Sequence, residues 1–237
     1  MKFSRMYLNR LQEGPGASDT VVVIDVLRSF TTAAVVLARG ARAVYPVEGV
    51  AAASELASRL PHALTVGAVG GGDPVPGFDF GNSPSALAAA QVKGRNVVMT
   101  TAAGVRGLQR FRHAHALYAG SLVCARATEA IRRAGASEVS FVLTGEWVDR
   151  DGDEDAACAD YIEALLRGEQ PAPARFAERV CQSDFGKRFL AGGNPNLPLA
   201  DLELATKVDC FNFAMPVVRQ DDRLVIFAPS VVSVLRQ

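Results

Sequence analysis

Short apolar runs alternate with longer Ala/Leu-rich stretches of helical period through the first two thirds of the chain. The runs are rich in branched residues and stop abruptly at polar or glycine positions, which is how a strand buried on both faces reads. The pattern predicts strands over 21–25, 43–47, 64–66, 96–100, 117–120 and 139–143, and helices over 31–39, 50–60, about 125–134 and 155–167. Gly40, Pro61 and Gly168 close three of those helices, and Ser83-Pro84 opens another with a capping residue followed by proline at the first helical position. Residues 169–200 are rich in Pro, Gly and Asn and read as loops around one helix near 174–181. A last strand, 223–227, follows the Arg219-Gln220-Asp221-Asp222 turn. Repeated strand–helix–strand units predict an α/β fold, three-layer α/β/α with a mixed, largely parallel sheet. Nothing repeats internally and no linker is polar enough to mark a boundary, so residues 1–237 read as a single domain.

Composition narrows the setting. A hydrophobic content of 49% is enough for a substantial core. Lys+Arg and Asp+Glu are 25 each, so no net field recommends nucleic acid or an anionic membrane as partner, and the ligand must be sought in a local site. Cys124, Cys158, Cys181 and Cys210 stand far apart without metal-finger spacing, which favours reduced thiols over zinc or a disulfide framework. The opening MKFSRMYLNRLQEGPG lacks the apolar segment of a signal peptide, and no stretch reaches the ~18 apolar residues of a membrane span, so a cytoplasmic location is expected.

In open α/β sheets, ligands sit beyond the carboxyl ends of strands, where helix N-termini present free N–H groups to anions. Five strand ends carry unusual polar matter: DVLRSFTT at 25–32, GAVGGGDPVPGFDFGNSP at 67–84, TTAAG at 100–104, GS at 120–121 and TGEWVDRDGDEDAACAD at 144–160. Asp25 reads either as a strand-end carboxylate that caps the next turn or as a reagent; Arg28, Ser29, Thr31 and Thr32 beside it would suit an anion. Asn82 or Ser83 reads as an N-cap, whereas Asp79 between Phe78 and Phe80 is harder to explain as a solvated face. The acidic run from Asp149 to Asp155 fails the spacing of an EF-hand, because Gly152 comes too early and no Glu closes the loop. Asp149 and Asp151 read as a solvated loop, and Glu154 and Asp155 as acids favoured in a first helical turn. Carboxylates from several strand ends could also converge on one magnesium ion, completed by waters and a substrate phosphate. Other chemistries fit less well. A haloacid-dehalogenase phosphatase wants an acid where Leu27 stands, an isochorismatase-like hydrolase wants a Lys and a Cys in the later loops, and a dinucleotide site wants GxGxxG directly after the first strand. GAVGGG at 67–72 lacks that context and reads as a flexible loop.

Taken in order, VIDVLRSFTTA, GFDFGNSP, TTAAG before a helix, GSLVCARAT and DGDEDAACADYIEALLRG make the chain resemble the 2-phosphosulfolactate phosphatase family over about residues 20–230. The resemblance implies an α/β enzyme that uses Mg2+ to hydrolyse the phosphate ester of a 2-phospho-3-sulfo acid. It places catalytic roles on Asp25, Arg28, Asp79 and Glu154, and metal ligation on Asp25, Asp79 and Asp155. Substrate contacts are expected from Ser29, Thr31, Asn82, Ser83, Thr100, Thr101 and Ser121, with a small anionic phosphorylated substrate as partner and a homodimer left open. Two departures stand out: Ala68 replaces the acid of the family's Gly-Glu pair, and Ala102, Ala103 and Val105 replace polar residues after its TT motif. They support an alternative, a degenerate homologue that binds a phosphorylated or sulfonated acid without turnover.

Overall fold

The computed structural model describes residues 1–11, 20–70 and 72–227. In chain order its elements are β1 (Lys2–Tyr7), β2 (Thr20–Ile24), α1 (Ser29–Ala38), β3 (Ala43–Pro46), α2 (Val50–Arg59), β4 (Ala63–Val69), β5 (Asp73–Pro74), α3 (Pro84–Ala88), β6 (Asn96–Thr101) and α4 (Gly104–Arg110). They continue with β7 (Ala116–Gly120), α5 (Ala130–Arg133), β8 (Glu138–Leu143), α6 (Asp153–Leu166), α7 (Pro173–Gln182), α8 (Asp184–Ala191), α9 (Leu199–Ala205), β9 (Met215–Gln220) and β10 (Arg223–Ile226). The strands form one mixed sheet in the order β1-β8-β2-β7-β9-β10-β3-β6-β4-β5. Parallel pairing joins β1, β8, β2 and β7 on one side and β3, β6 and β4 on the other; the β9–β10 hairpin links the two sets through antiparallel pairs. Helices cover both faces, giving the three-layer α/β/α architecture that the alternating pattern predicts.

The unbroken apolar run of β2 follows from its place in that architecture. Val21 and Val23 enter a core with Phe30, Ala33 and Ala34 of α1 and with Val97 and Met99 of β6. Val22 and Ile24 enter a second core on the opposite face with Tyr161 and Ile162 of α6. Successive side chains point to opposite faces, so a strand covered on both sides has no polar position to spare. The first core spans both parallel sets. The carboxyl ends of β2 and β6 come together, as the bonds from Gly104 N to Asp25 Oδ2 and from Ser29 Oγ to Thr101 Oγ1 show.

Three regions differ from the sequence expectation. Residues 169–200 hold two helices, α7 and α8, and the start of a third, α9, rather than one, because Pro173, Gly192 and Pro198 stand at helix boundaries instead of in loops. Each of the first two presents an apolar pair four residues apart to the second core, Phe176 with Val180 and Phe185 with Phe189. Around 125–134, two 3-10 turns precede the short α5, and Asp209 holds the Arg126 N–H at 2.6 Å there. Gly67, Ala68 and Val69 belong to β4, which turns back into β5, so this stretch is strand rather than loop; Gly71 lies outside the described residues, as does the 12–19 part of the opening segment. The expected turn before β10 is a hairpin connection with Asp221 and Asp222 at φ 49° and 64°. No helix among the described residues is long and apolar enough to cross a membrane.

Candidate active site

Beyond the end of β2, the Asp25 carboxylate accepts the Ser29 N–H on Oδ1 at 2.9 Å and the Gly104 N–H on Oδ2 at 2.9 Å. One side chain thereby caps α1 and α4 together. An ionised carboxylate offers about four acceptor positions, and these two bonds leave others for a ligand. Gly104 is required for this contact: a Cβ there would lie 2.7 Å from Asp25 Oδ2 and 2.9 Å from Ser29 Cβ. Ser29 Oγ also donates to Thr101 Oγ1 at 3.0 Å, which ties the first polar motif to the end of β6.

Arg28 is buried, and its charge is held by Asp201 of α9. Its Nη1 donates to Asp201 Oδ2 at 2.7 Å and to the Asn196 carbonyl at 2.8 Å, and Nη2 donates to the Gly72 carbonyl at 3.2 Å. Three of five guanidinium donors are committed, leaving Nε–H and one Nη2–H. Asp201 is fully buried, and its other oxygen accepts Ser83 Oγ, Ser85 N and Ser85 Oγ at 2.8, 2.9 and 2.5 Å. The sequence reading missed Asp201, since it lay at the edge of a segment read as loops. An acid after Pro198, in the first turn of an unrecognised helix, was the available signal.

Glu154 and Asp155 are adjacent in α6, both buried, and differently employed. Asp155 accepts Val26 N on Oδ1 at 2.8 Å, and Thr144 N and Gly145 N on Oδ2 at 2.9 and 2.8 Å, so it fastens the ends of β2 and β8. Burial, and then the neighbouring charges of Glu154 and Asp25, pushes its pKa well above the usual carboxylate range. Neither carboxylate oxygen of Glu154 has a hydrogen-bond partner among the described residues. Burial raises Glu154 to about 7, opposed by its own amide, by the Ser183 hydroxyl and by the charge of Arg150. The Ser183 proton is given to the Val180 carbonyl, so its influence on Glu154 falls short of a bond. A Cβ at Gly145 would collide with Glu154 Oε1.

A cavity of about 370 Å³ opens at these strand ends. Of the residues singled out in the sequence, Asp25, Arg28, Ser29, Asn82, Thr101 and the exposed Asp149 line it; Ala68, Ala102 and Ala103 also face it. Glu154 and Asp155 stand behind its wall. Asp79 is not brought in: its Oδ2 accepts Thr65 N at 2.7 Å and Thr65 Oγ1 at 2.8 Å, an interaction that binds the Phe78–Phe80 segment to β4 and leaves Asp79 apart from Asp25 and Asp155 as a metal ligand or catalytic group. Thr31 and Ser121 meet each other at 2.7 Å in the buried interior, Ser83 caps α3, and buried Thr100 is not part of the cavity wall. Trp147, Arg150, Phe185 and Arg188, which the sequence reading did not single out, complete the wall.

Among the described residues no three carboxylate, imidazole or thiol groups converge closely enough to cage a metal ion. A hard cation that keeps waters and shares a substrate's phosphate needs less, one or two protein oxygens. Asp25 supplies a carboxylate on the cavity wall, and Asn82 Oδ1, on the same wall, is buried without a partner. This donor set fits such an ion.

Acidic oxygens and guanidinium donors gathered where strand ends meet helix N-termini define an α/β protein with a polar cavity at the carboxyl ends of its strands. A model of the family described as 2-phosphosulpholactate phosphatase matches residues 7–218, and the chain belongs to that family, as the resemblance of its motifs implies. Similar proteins named probable 2-phosphosulfolactate phosphatase occur in Gloeobacter violaceus, 35% identical over 65% of this chain and 65% of the relative, and in Carboxydothermus hydrogenoformans, 43% identical over 62% and 60%. The chain thus spans slightly less than two thirds of those two relatives. A third, from Thermosynechococcus vestitus, is 32% identical over 81% of this chain and 86% of its own length.

Proposed function

We propose that the chain is a magnesium-dependent phosphomonoesterase that converts 2-phosphosulfolactate and water to sulfolactate and inorganic phosphate. The observation that carries this reading is the shared cavity of Asp25 and Arg28, backed by the buried, uncommitted Glu154. The names of the relatives supply the substrate. The two free donors of Arg28 receive the phosphate. Asp25 and Asn82 would hold magnesium, which when bound supplies charge neutralisation for the phosphate oxygens. The proton released by the attacking water passes from the cavity to the neighbouring acids Asp25, Asp155 and Glu154, among which Glu154, raised to about 7 behind the wall, suits holding it. The P–O bond to the hydroxy acid breaks, and the leaving oxygen takes back the proton that the acids had accepted from water, which restores them for the next turnover. Asp155 contributes by fixing the strand ends that carry these groups.

Phosphate release from 2-phosphosulfolactate, measured with magnesium and again with excess EDTA, tests the proposal. Release that depends on magnesium and collapses in Asp25→Asn supports it; no release from the folded protein at any magnesium concentration sinks it. One observation favours a second reading, binding without turnover: Ala68, Ala102 and Ala103 give the cavity an apolar wall where polar groups are expected. Tight binding of sulfolactate without phosphate release would select it.

A further inference from the structure

Two side chains that line the cavity carry a donor without an acceptor. Arg150 Nε and Trp147 Nε1 are both buried without a hydrogen-bond partner among the described residues. The Arg150 side chain is 13% exposed, and its nearest carboxylate oxygen, Asp149 Oδ1, is 3.9 Å from Nε, beyond hydrogen-bonding distance. It is held by ring faces instead: its guanidinium carbon lies 4.5 Å from the Phe185 centroid and 5.7 Å from that of Trp147. The other two arginines of the wall are engaged, Arg28 with Asp201 and Arg188 with Asp149. A desolvated cation beside an orphaned indole N–H calls for an acceptor-rich anion, since leaving such groups unpaired is costly.

We infer that Arg150 and Trp147 form a second anion subsite that receives the sulfonate of the substrate while Arg28 and Asp25 serve its phosphate; this rests on the substrate class proposed above. A sulfonate offers three acceptor oxygens and a single charge. A guanidinium stacked on aromatic rings is weakly hydrated and presents its donors in a fixed plane, which suits such a group better than an ammonium would. Discrimination then comes from the pairing itself, because a substrate analogue without the sulfonate leaves both donors unmet.

Calorimetric titration of sulfolactate and of lactate into wild type, Arg150→Met and Trp147→Phe tests the subsite without requiring turnover. Wild type is expected to prefer sulfolactate; Arg150→Met should reduce that preference about 10–100-fold and Trp147→Phe, which keeps the ring and removes only the N–H, roughly 2–10-fold. Equal weakening for both ligands, or no preference in wild type, overturns the subsite. If Arg150→Met does not fold, the Trp147→Phe comparison still decides. A wild type that prefers sulfolactate, loses that preference in the variants, yet releases no phosphate refutes hydrolysis while upholding the subsite.

Discussion

Asp201→Asn should destabilise the protein far more than any change on its surface. The wild-type carboxylate is fully buried, neutralises the buried Arg28 guanidinium at 2.7 Å and accepts three further bonds from Ser83 and Ser85. An amide of the same shape removes the countercharge and turns one acceptor into a donor that faces other donors. Breaking a buried pair from one side costs about 3–5 kcal/mol, because the remaining charge stays desolvated. At about 2–4 °C per kcal/mol for a chain of this size, the melting temperature should fall by roughly 6–20 °C. Thermal unfolding monitored by circular dichroism measures the single variant and the double variant Arg28→Met/Asp201→Leu. The double variant should recover the part of the loss that comes from the uncompensated charge, while the Ser83 and Ser85 donors stay unpaired. A cost below about 1 kcal/mol, the value of an exposed pair, would refute the reasoning and mean that Arg28 is solvated or otherwise paired.

Glu154, raised from an unfolded value near 4.5 to about 7, binds its proton more tightly in the fold, so its contribution to stability is full below pH 4.5 and is lost as pH rises through 7. The shift corresponds to about 3 kcal/mol; in magnesium-free buffer, Glu154→Gln should flatten the decline in melting temperature between those pH values, and an unchanged slope would assign it elsewhere. Gly104→Ala places a methyl group 2.7 Å from Asp25 Oδ2 and 3.1 Å from the Phe30 ring; overpacking of this kind costs about 1–3 kcal/mol, and phosphate release should drop further than that destabilisation explains. Ala68, paired in register with Thr101 on the cavity wall, is a site for gain of function: Ala68→Glu should raise magnesium-dependent phosphate release about 10–100-fold, the typical worth of an outer-shell group, and a folded variant with no gain would favour binding without turnover.

What could be read from sequence divides along physical lines. β2 was visible because Val21, Val22, Val23 and Ile24, buried on both faces, form an unbroken apolar run. β1 and β9 were not: β1 is an edge strand with mixed burial and Arg5 within it, and β9 carries Pro216 and turns Val218, Arg219 and Gln220 to solvent. Asp25, Arg28, Ser29, Asn82 and Thr101 were found because strand ends and helix starts announce where ligands gather. Thr31 and Ser121 lie at the same kind of place, yet satisfy each other in the interior, a pairing that spans 90 residues and has no local signature. Arg150 was hidden for the same reason; its aromatic neighbour Phe185 belongs to another helix. Charge counting placed Asp149 and Asp151 in solvent, and both are exposed, but it gave no sign that Trp147 and Arg150 beside them line the cavity.

Asp25 shows why a cap and a reagent need not be rival readings. The position at which the β2 and β6 ends approach is also where the N-termini of α1 and α4 present unpaired N–H groups. A carboxylate there is immobilised by two amides before any ligand arrives, and its remaining lone pairs face a cavity whose other donors are already aligned. Asp25→Asn keeps one acceptor but turns the other into a donor that faces an amide, so it frees one helix end as it removes the charge, and loss of activity in it cannot alone separate the two roles. Gly104→Ala separates them better: it displaces the carboxylate but retains its charge and leaves the ligand-facing arginines untouched. If that displacement suppresses phosphate release while magnesium binding is preserved, the alignment imposed by the two helix termini is itself part of the catalytic apparatus.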